Sequence, residues 1–195
     1  KEENLRRETP YWIEELNLRM YDKECLLHDS KLSYRIYEAA QQLINSYMKS
    51  KEFHVGFDYL QSSKFENILM HSYDREKHWI TLIITEDTIY ILDSTQQVLT
   101  HSIKSYLQKI TNKSLAQVVL IHMDREINDE VNSDLFTIAD AFHFALKKTW
   151  PPHTYDLANM RLHLKTCLET KRTMAFSAIN ENIQIQSNQK WCTIQ

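Results

Sequence analysis

Apolar positions recur at three- and four-residue intervals in several stretches of the chain. From Ser33 to Lys49 the series Ile36, Ala39, Ala40, Leu43, Ile44 and Tyr47 marks one face of a long helix, with Asp29 or Ser30 placed to cap its approach. From about Ser133 to Lys148 a second helix buries Leu135, Ile138, Ala139, Phe142, Ala145 and Leu146; Asn132 or Ser133 suits its cap, and Pro151-Pro152 stops it. A last helix from about Leu157 to Met174 turns Met160, Leu164, Cys167 and Leu168 inward, and Ile103, Leu107 and Ile110 line a short one.

Between the helices the pattern changes. Ile68 to His71 and Trp79 to Ile84 predict two strands, the second with Ile80, Leu82 and Ile84 on one face. Glu86-Asp87 marks a tight turn into a returning strand, Thr88 to Leu92. QVVLIH, residues 117–122, is a near-continuous apolar run and predicts a buried strand. The order is helix, strands, helix, strand, helix, helix, which is α+β with one sheet. Residues 1–10 form a charged lead-in, 11–176 one domain, and 177–195 a Gln/Asn-rich tail that suits an edge strand or a disordered extension.

Composition narrows the function. The chain has 195 residues, 23 basic against 26 acidic and a formal charge of −3, and shows no basic stripe, so no nucleic-acid partner is expected. No apolar window is long enough to span a bilayer. The opening KEENLRRE lacks the apolar core of a signal peptide, and the absence of an initiator Met suits an excised domain or a processed chain. Cys25, Cys167 and Cys192 form no disulfide framework and no zinc spacing; a reducing compartment, nuclear or cytoplasmic, follows, with no metal and no cofactor. Gly56 is the only glycine, so no Gly-rich phosphate loop exists, and left-handed turn positions fall to Asn, Asp and Ser.

Candidate chemistry lies at the strand ends. His78 opens one strand and Asp93 closes the next, 15 residues on (93 − 78). A hairpin of that size puts both at the same end of neighbouring strands, where a carboxylate orients an imidazole. The helix starting near Ser133 adds a positive dipole end and free N–H groups, which stabilise a thiolate or an oxyanion. A His/Asp hairpin facing a helix N-terminus is the layout of papain-like cysteine proteases. By themselves these residues also fit bland roles. His78 and Asp93 suit strand-end hydrogen bonding, Ser133 a helix cap, Trp79 the core, and Cys25 and Cys167 buried filling.

Four sequence blocks, in order, carry a resemblance. KHWITLII with YILDS is similar to an HW(I/V)T…DS block. NSDLFTIADAF is similar to DCGLFAIAFA, and the MRLHLKTCLE run to a helix ending in CLE. The opening WIEELNLRMYDKECLLHDSKLSYRIYEAAQQLI resembles the N-terminal block. The chain thus resembles the ubiquitin-like-protein proteases, the sentrin-protease and adenain clan, over roughly residues 11 to 176. The resemblance implies a papain-like cysteine-protease fold with a central mixed β-sheet flanked by helices. His78 falls on the catalytic base, Asp93 on its orienting acid, and Trp79 on a wall of the channel for a diglycine tail.

The departures are equally specific. Ser133 stands at the nucleophile position in place of cysteine, and Asp134 in place of the following glycine. Ile127 or Asn128 stands for the oxyanion-hole glutamine, and Ser33-Tyr34 for an Asn-Asp pair. A hydroxyl is a far weaker nucleophile than a thiolate, and losing one oxyanion donor costs on the order of 10²–10³ in rate. The expectation is a pseudoprotease that binds a ubiquitin-like modifier or another protein, the acidic stretch from Asp124 to Asp134 suiting a basic partner. Two alternatives stand beside it: an active hydrolase using Ser133 with His78 and Asp93, its oxyanion donor the Asn128 side chain, and an oligomerisation or assembly domain of a larger protein. The sequence leaves the oligomeric state open.

Overall fold

The run HWITLIIT becomes the second strand of a five-stranded sheet because both of its faces find apolar cover. A computed structural model describes residues 10–28, 30–50, 65–73, 78–85, 88–93, 107, 118–122, 130–152, 154–179 and 191–193; at 50, 65–67, 69, 71–73, 78, 122, 130–133 and 191–193 it describes the backbone alone. The sheet consists of β3 (Phe65–Tyr73), β4 (His78–Thr85), β5 (Ile89–Asp93), β6 (Val118–His122) and β7 (Trp191–Thr193), in that order. Only β5 and β6 run parallel. A parallel pair needs a crossover, and Leu107, fully buried, is its described residue. It joins Ile80, Leu82, Ile84, Ile89, Ile91, Val118 and Leu120 in a cluster on one face of the sheet.

The other face carries Trp79, Ile83, Leu92 and Ile121, packed in the main core with the helices. Four helices are described: α1 (Met20–Leu27), α2 (Tyr34–Ser50), α3 (Glu130–Lys147) and α4 (Leu157–Thr170). On α3, Leu135 through Phe142, Phe144 and Ala145 are all buried, which marks a helix covered nearly all round. A small ribbon of β1 (Tyr11–Ile13) and β2 (Leu18–Arg19), joined by a 3-10 turn over Glu14–Leu16, precedes α1.

The N-terminal segment is tied to α4 by polar contacts. Arg161 donates from Nη1 to the carbonyls of Cys25, Leu26 and His28, at 3.0–3.1 Å, and from Nη2 to Ser30 at 2.9 Å. Those carbonyls belong to the last turn of α1 and the residues after it, where a cation meets the negative end of the helix dipole. Asp22, buried, accepts from the Arg19 backbone N–H at 2.7 Å and from the Ser33 hydroxyl at 2.6 Å, so it links α1 to the start of α2.

Several expectations shift. The helix expected from Ser133 begins at Glu130, so Asn132 and Ser133 lie inside its first turn and do not cap it. An acidic residue at that end suits the dipole and extends the helix backwards. The last helix stops at Thr170, four residues short of Met174, because Lys171 takes a left-handed conformation and donates its N–H to Cys167 and Leu168. Among the described residues left-handed positions fall on Asn17 (φ 55°), Lys148 (59°) and Lys171 (53°), so lysine takes two of the places expected for Asn, Asp and Ser. Both lysines follow helix C-termini, where glycine is the usual residue and a cation suits the dipole. The short helix expected around Ile103 and Ile110 lies outside the described residues except for Leu107. In the tail, Trp191–Thr193 pairs with β6 as an edge strand.

Candidate functional site

The hairpin register brings the His78 and Asp93 positions to one end of the sheet. At this end the β4–β5 ladder closes on the pair Thr81 and Leu92. Strand β4 opens at His78 and β5 ends at Asp93, so both positions lie beyond that pair at one end of the sheet. Asp93 is buried at 3% exposure. Its register partner on the parallel side is His122, so two histidine positions flank this carboxylate in neighbouring strands. The His at the end of QVVLIH was the available signal for the second.

Helix α3 reaches the same end of the sheet through a pair of threonines. The Thr81 hydroxyl donates to the Thr137 carbonyl at 2.9 Å, and the Thr137 hydroxyl donates to the Trp79 carbonyl at 3.0 Å. A helical carbonyl points toward the C-terminus, so the helix direction runs from Trp79 toward Thr81. Ser133 lies four residues before Thr137, on the same helical face and about 6 Å nearer the His78 end. The backbone positions of Ser133, His78 and Asp93 therefore share one end of the molecule. In a helix beginning at Glu130, the N–H of Ser133 is the first that helix geometry commits to a carbonyl one turn back. Asn128 and Ile127 lie outside the described residues.

Trp79 is 5% exposed and its ring stacks on Tyr37, with centroids 3.6 Å apart and planes 7° from parallel. Tyr37, from α2, is itself buried, and the Asp134 carboxylate sits beside its hydroxyl. Burial first, then that carboxylate, hold the Tyr37 hydroxyl well above the ordinary phenol range, with Arg161 opposing weakly. The phenol is therefore neutral and able to donate at any physiological pH. Asp134, near the start of α3, is 1% exposed, a buried acid. Neither Tyr37 nor the threonine pair was singled out from the sequence. Tyr37 stands three residues before Ala40 and seven before Ile44, so it fits the three-and-four pattern of α2, and that is the signal it offered.

Among the described residues no group of three or more His, Cys, Asp and Glu is placed to hold a metal. Among the described side chains the thiols stand elsewhere: Cys25 on α1, and Cys167 on α4, fully buried, its pKa pushed up to about 11 by that burial. No helix is long and apolar enough to cross a membrane among the described residues.

These elements define an α+β protein with the fold of a ubiquitin-like-protein protease domain. Among solved structures, the chain is similar to the SUMO protease Ulp1 with its catalytic cysteine oxidised to a sulfenic acid, at TM-score 0.55 and 11% identity over 78% of this chain and 84% of that one. It is also similar to the C-terminal Ulp1 protease domain in complex with Smt3, the yeast orthologue of SUMO, at TM-score 0.53 and 14% identity over 79% and 83%. A de-sumoylating protease matches at TM-score 0.50 and 13% identity over 79% and 86%. No family model matches the chain, and no curated protein matches it significantly.

Proposed function

We propose that this chain is a protein-binding module on a ubiquitin-like-protease fold, catalytically inactive, whose cleft is kept for recognition. The observation that carries the reading is the first turn of α3. It presents Ser133 and the buried Asp134 where the resemblance places a nucleophilic cysteine and a glycine. A serine there lacks the low-pKa thiol such a His/Asp pair serves, and the Asp134 charge opposes a developing oxyanion. Trp79, with its face on Tyr37, walls the cleft; His78 opens β4 and Asp93 ends β5 beside it.

The partner is a ubiquitin-like modifier, a kind supported by the neighbour bound to Smt3. The free thiols and the resemblance suit a nuclear or cytoplasmic setting. Isotope-labelled domain titrated with SUMO and with ubiquitin tests this. Saturable shifts in the amides of β4, β5 and the start of α3, with a micromolar Kd for at least one modifier, are expected. Dissociation constants above millimolar for every modifier remove the modifier-binding reading.

The shared end of Ser133, His78 and Asp93 favours one second reading, a serine hydrolase using these three. Labelling of Ser133 by a fluorophosphonate probe supports it, and absence of labelling on folded protein counts against it.

A further inference from the structure

We propose that the end of the sheet where the His78, Asp93 and His122 positions come together binds a zinc ion. Three neighbouring strands supply the three positions. β4 opens at His78, β5 ends at Asp93 and β6 ends at His122. β4 runs antiparallel to β5, with Thr81 opposite Leu92, so its start lies beside the end of β5. β6 runs parallel to β5, with His122 opposite Asp93, so these two strands end together.

The three positions also share a face. Along a strand, residues i and i+2 belong to the same side of the sheet. Position 78 continues the series Ile80, Leu82 and Ile84, position 93 continues Ile89 and Ile91, and position 122 continues Val118 and Leu120. Those apolar residues form one buried cluster with Leu107. The face is therefore apolar through three strands and turns to His, Asp and His at one end. Spacing along the chain gives no sign of this, since the members lie 15 (93 − 78) and 29 (122 − 93) residues apart and meet only through strand order.

The donor types decide the ligand. Adjacent strands lie about 4.8 Å apart, so an ion over the middle strand has one histidine position on either side and the aspartate between them. Two imidazoles and one carboxylate are a three-ligand set of the kind that holds zinc and leaves a fourth place to water. Calcium and magnesium ask for oxygen donors, which two histidines do not supply. Asp93 is 3% exposed, and a carboxylate at that depth is costly unless donors or a cation meet it. The apolar cluster on the same face keeps water away and strengthens the attraction of that carboxylate for a cation.

The test uses the whole chain, stripped of metal with a chelator and dialysed, with zinc chloride as the probe near neutral pH. Calorimetric titration is paired with nitrogen–proton spectra of the isotope-labelled histidine rings. The expected result is saturable uptake of one zinc ion per chain at micromolar Kd or tighter, with the ring nitrogens of His78 and His122 shifting most. His122→Gln and Asp93→Asn are each expected to weaken uptake at least about tenfold, and His28→Ala, at an exposed position, to leave it unchanged. Amide spectra establish which variants are folded, and the ring shifts of wild type decide the matter where a variant is not. Absence of saturable uptake, ring shifts confined to other histidines, or unchanged affinity in folded His122→Gln overturns the proposal. No modifier or substrate is present, so the outcome is separate from both readings of the cleft.

Discussion

Tyr37 lies flat on Trp79, 3.6 Å between ring centroids, and so joins α2 to the start of β4. Both rings are buried, so the contact is a packing element of the core as well as a wall of the cleft. Trp79→Ala removes a large buried ring and is expected to cost about 3–5 kcal/mol. Trp79→Phe keeps an aromatic face and is expected to cost less. Urea denaturation of the three proteins checks the order.

The threonine pair is the second join. Thr137 and Thr81 exchange buried hydrogen bonds between α3 and β4, each hydroxyl meeting a main-chain carbonyl. Thr137→Val keeps the shape but removes the donor to the Trp79 carbonyl, an expected loss of about 1–3 kcal/mol. The double change with Thr81→Val is expected to fall short of the sum, since both bonds hold the same two elements. A double-mutant cycle in denaturant measures the coupling.

Lys148 combines a left-handed backbone with a half-buried ammonium. It holds φ at 59° just past α3, and burial lowers its pKa from 10.5 to about 8. The folded protein thus holds its proton less tightly than the unfolded chain. The penalty is full below pH 8, shrinks as pH rises from 8 to about 10.5, and is gone above. Lys148→Gly relieves both the backbone and the charge burden and is expected to stabilise by about 1 kcal/mol or more at pH 7. Its advantage over wild type is expected to decline between pH 8 and 10.5, leaving the backbone part. Denaturation midpoints across that range give the sign directly.

Cys167 is fully buried on α4, and burial raises its thiol to about 11. Thiolate is the reactive form, so iodoacetamide at pH 8 is expected to leave Cys167 unmodified in the folded protein and to modify it after unfolding. Peptide mass mapping after timed labelling follows it.

The long helices and the hairpin were legible because their apolar spacing is dictated by burial alone. Ile36, Ala39, Ala40, Leu43 and Ile44 face the core as their period requires, and Ile80, Leu82 and Ile84 share a face. The same-end placement of His78 and Asp93 was legible for the same reason, since hairpin register is arithmetic. The start of α3 was not. Val131, Asn132 and Ser133 carry no apolar period, and a cap-forming sequence reads as a boundary even where the helix runs through it. Helix α1 was missed because Met20–Leu27 has no strong amphipathic stripe. Its ends are held by Arg161, more than 130 residues away, and by Asp22. Long-range contacts of that kind leave no local pattern. The Tyr37–Asp134 neighbourhood is hidden for the same reason.

The most direct test of an inactive cleft is turnover. Wild type, Ser133→Ala and Ser133→Cys are incubated with SUMO and ubiquitin bearing a C-terminal fluorogenic amide. The release rate is compared with that of buffer. On the proposed reading, wild type matches both Ser133→Ala and buffer, because a serine hydroxyl is a weak nucleophile and the charge of the buried Asp134 opposes an oxyanion. Release by wild type that disappears in Ser133→Ala would contradict this and make the chain a serine peptidase.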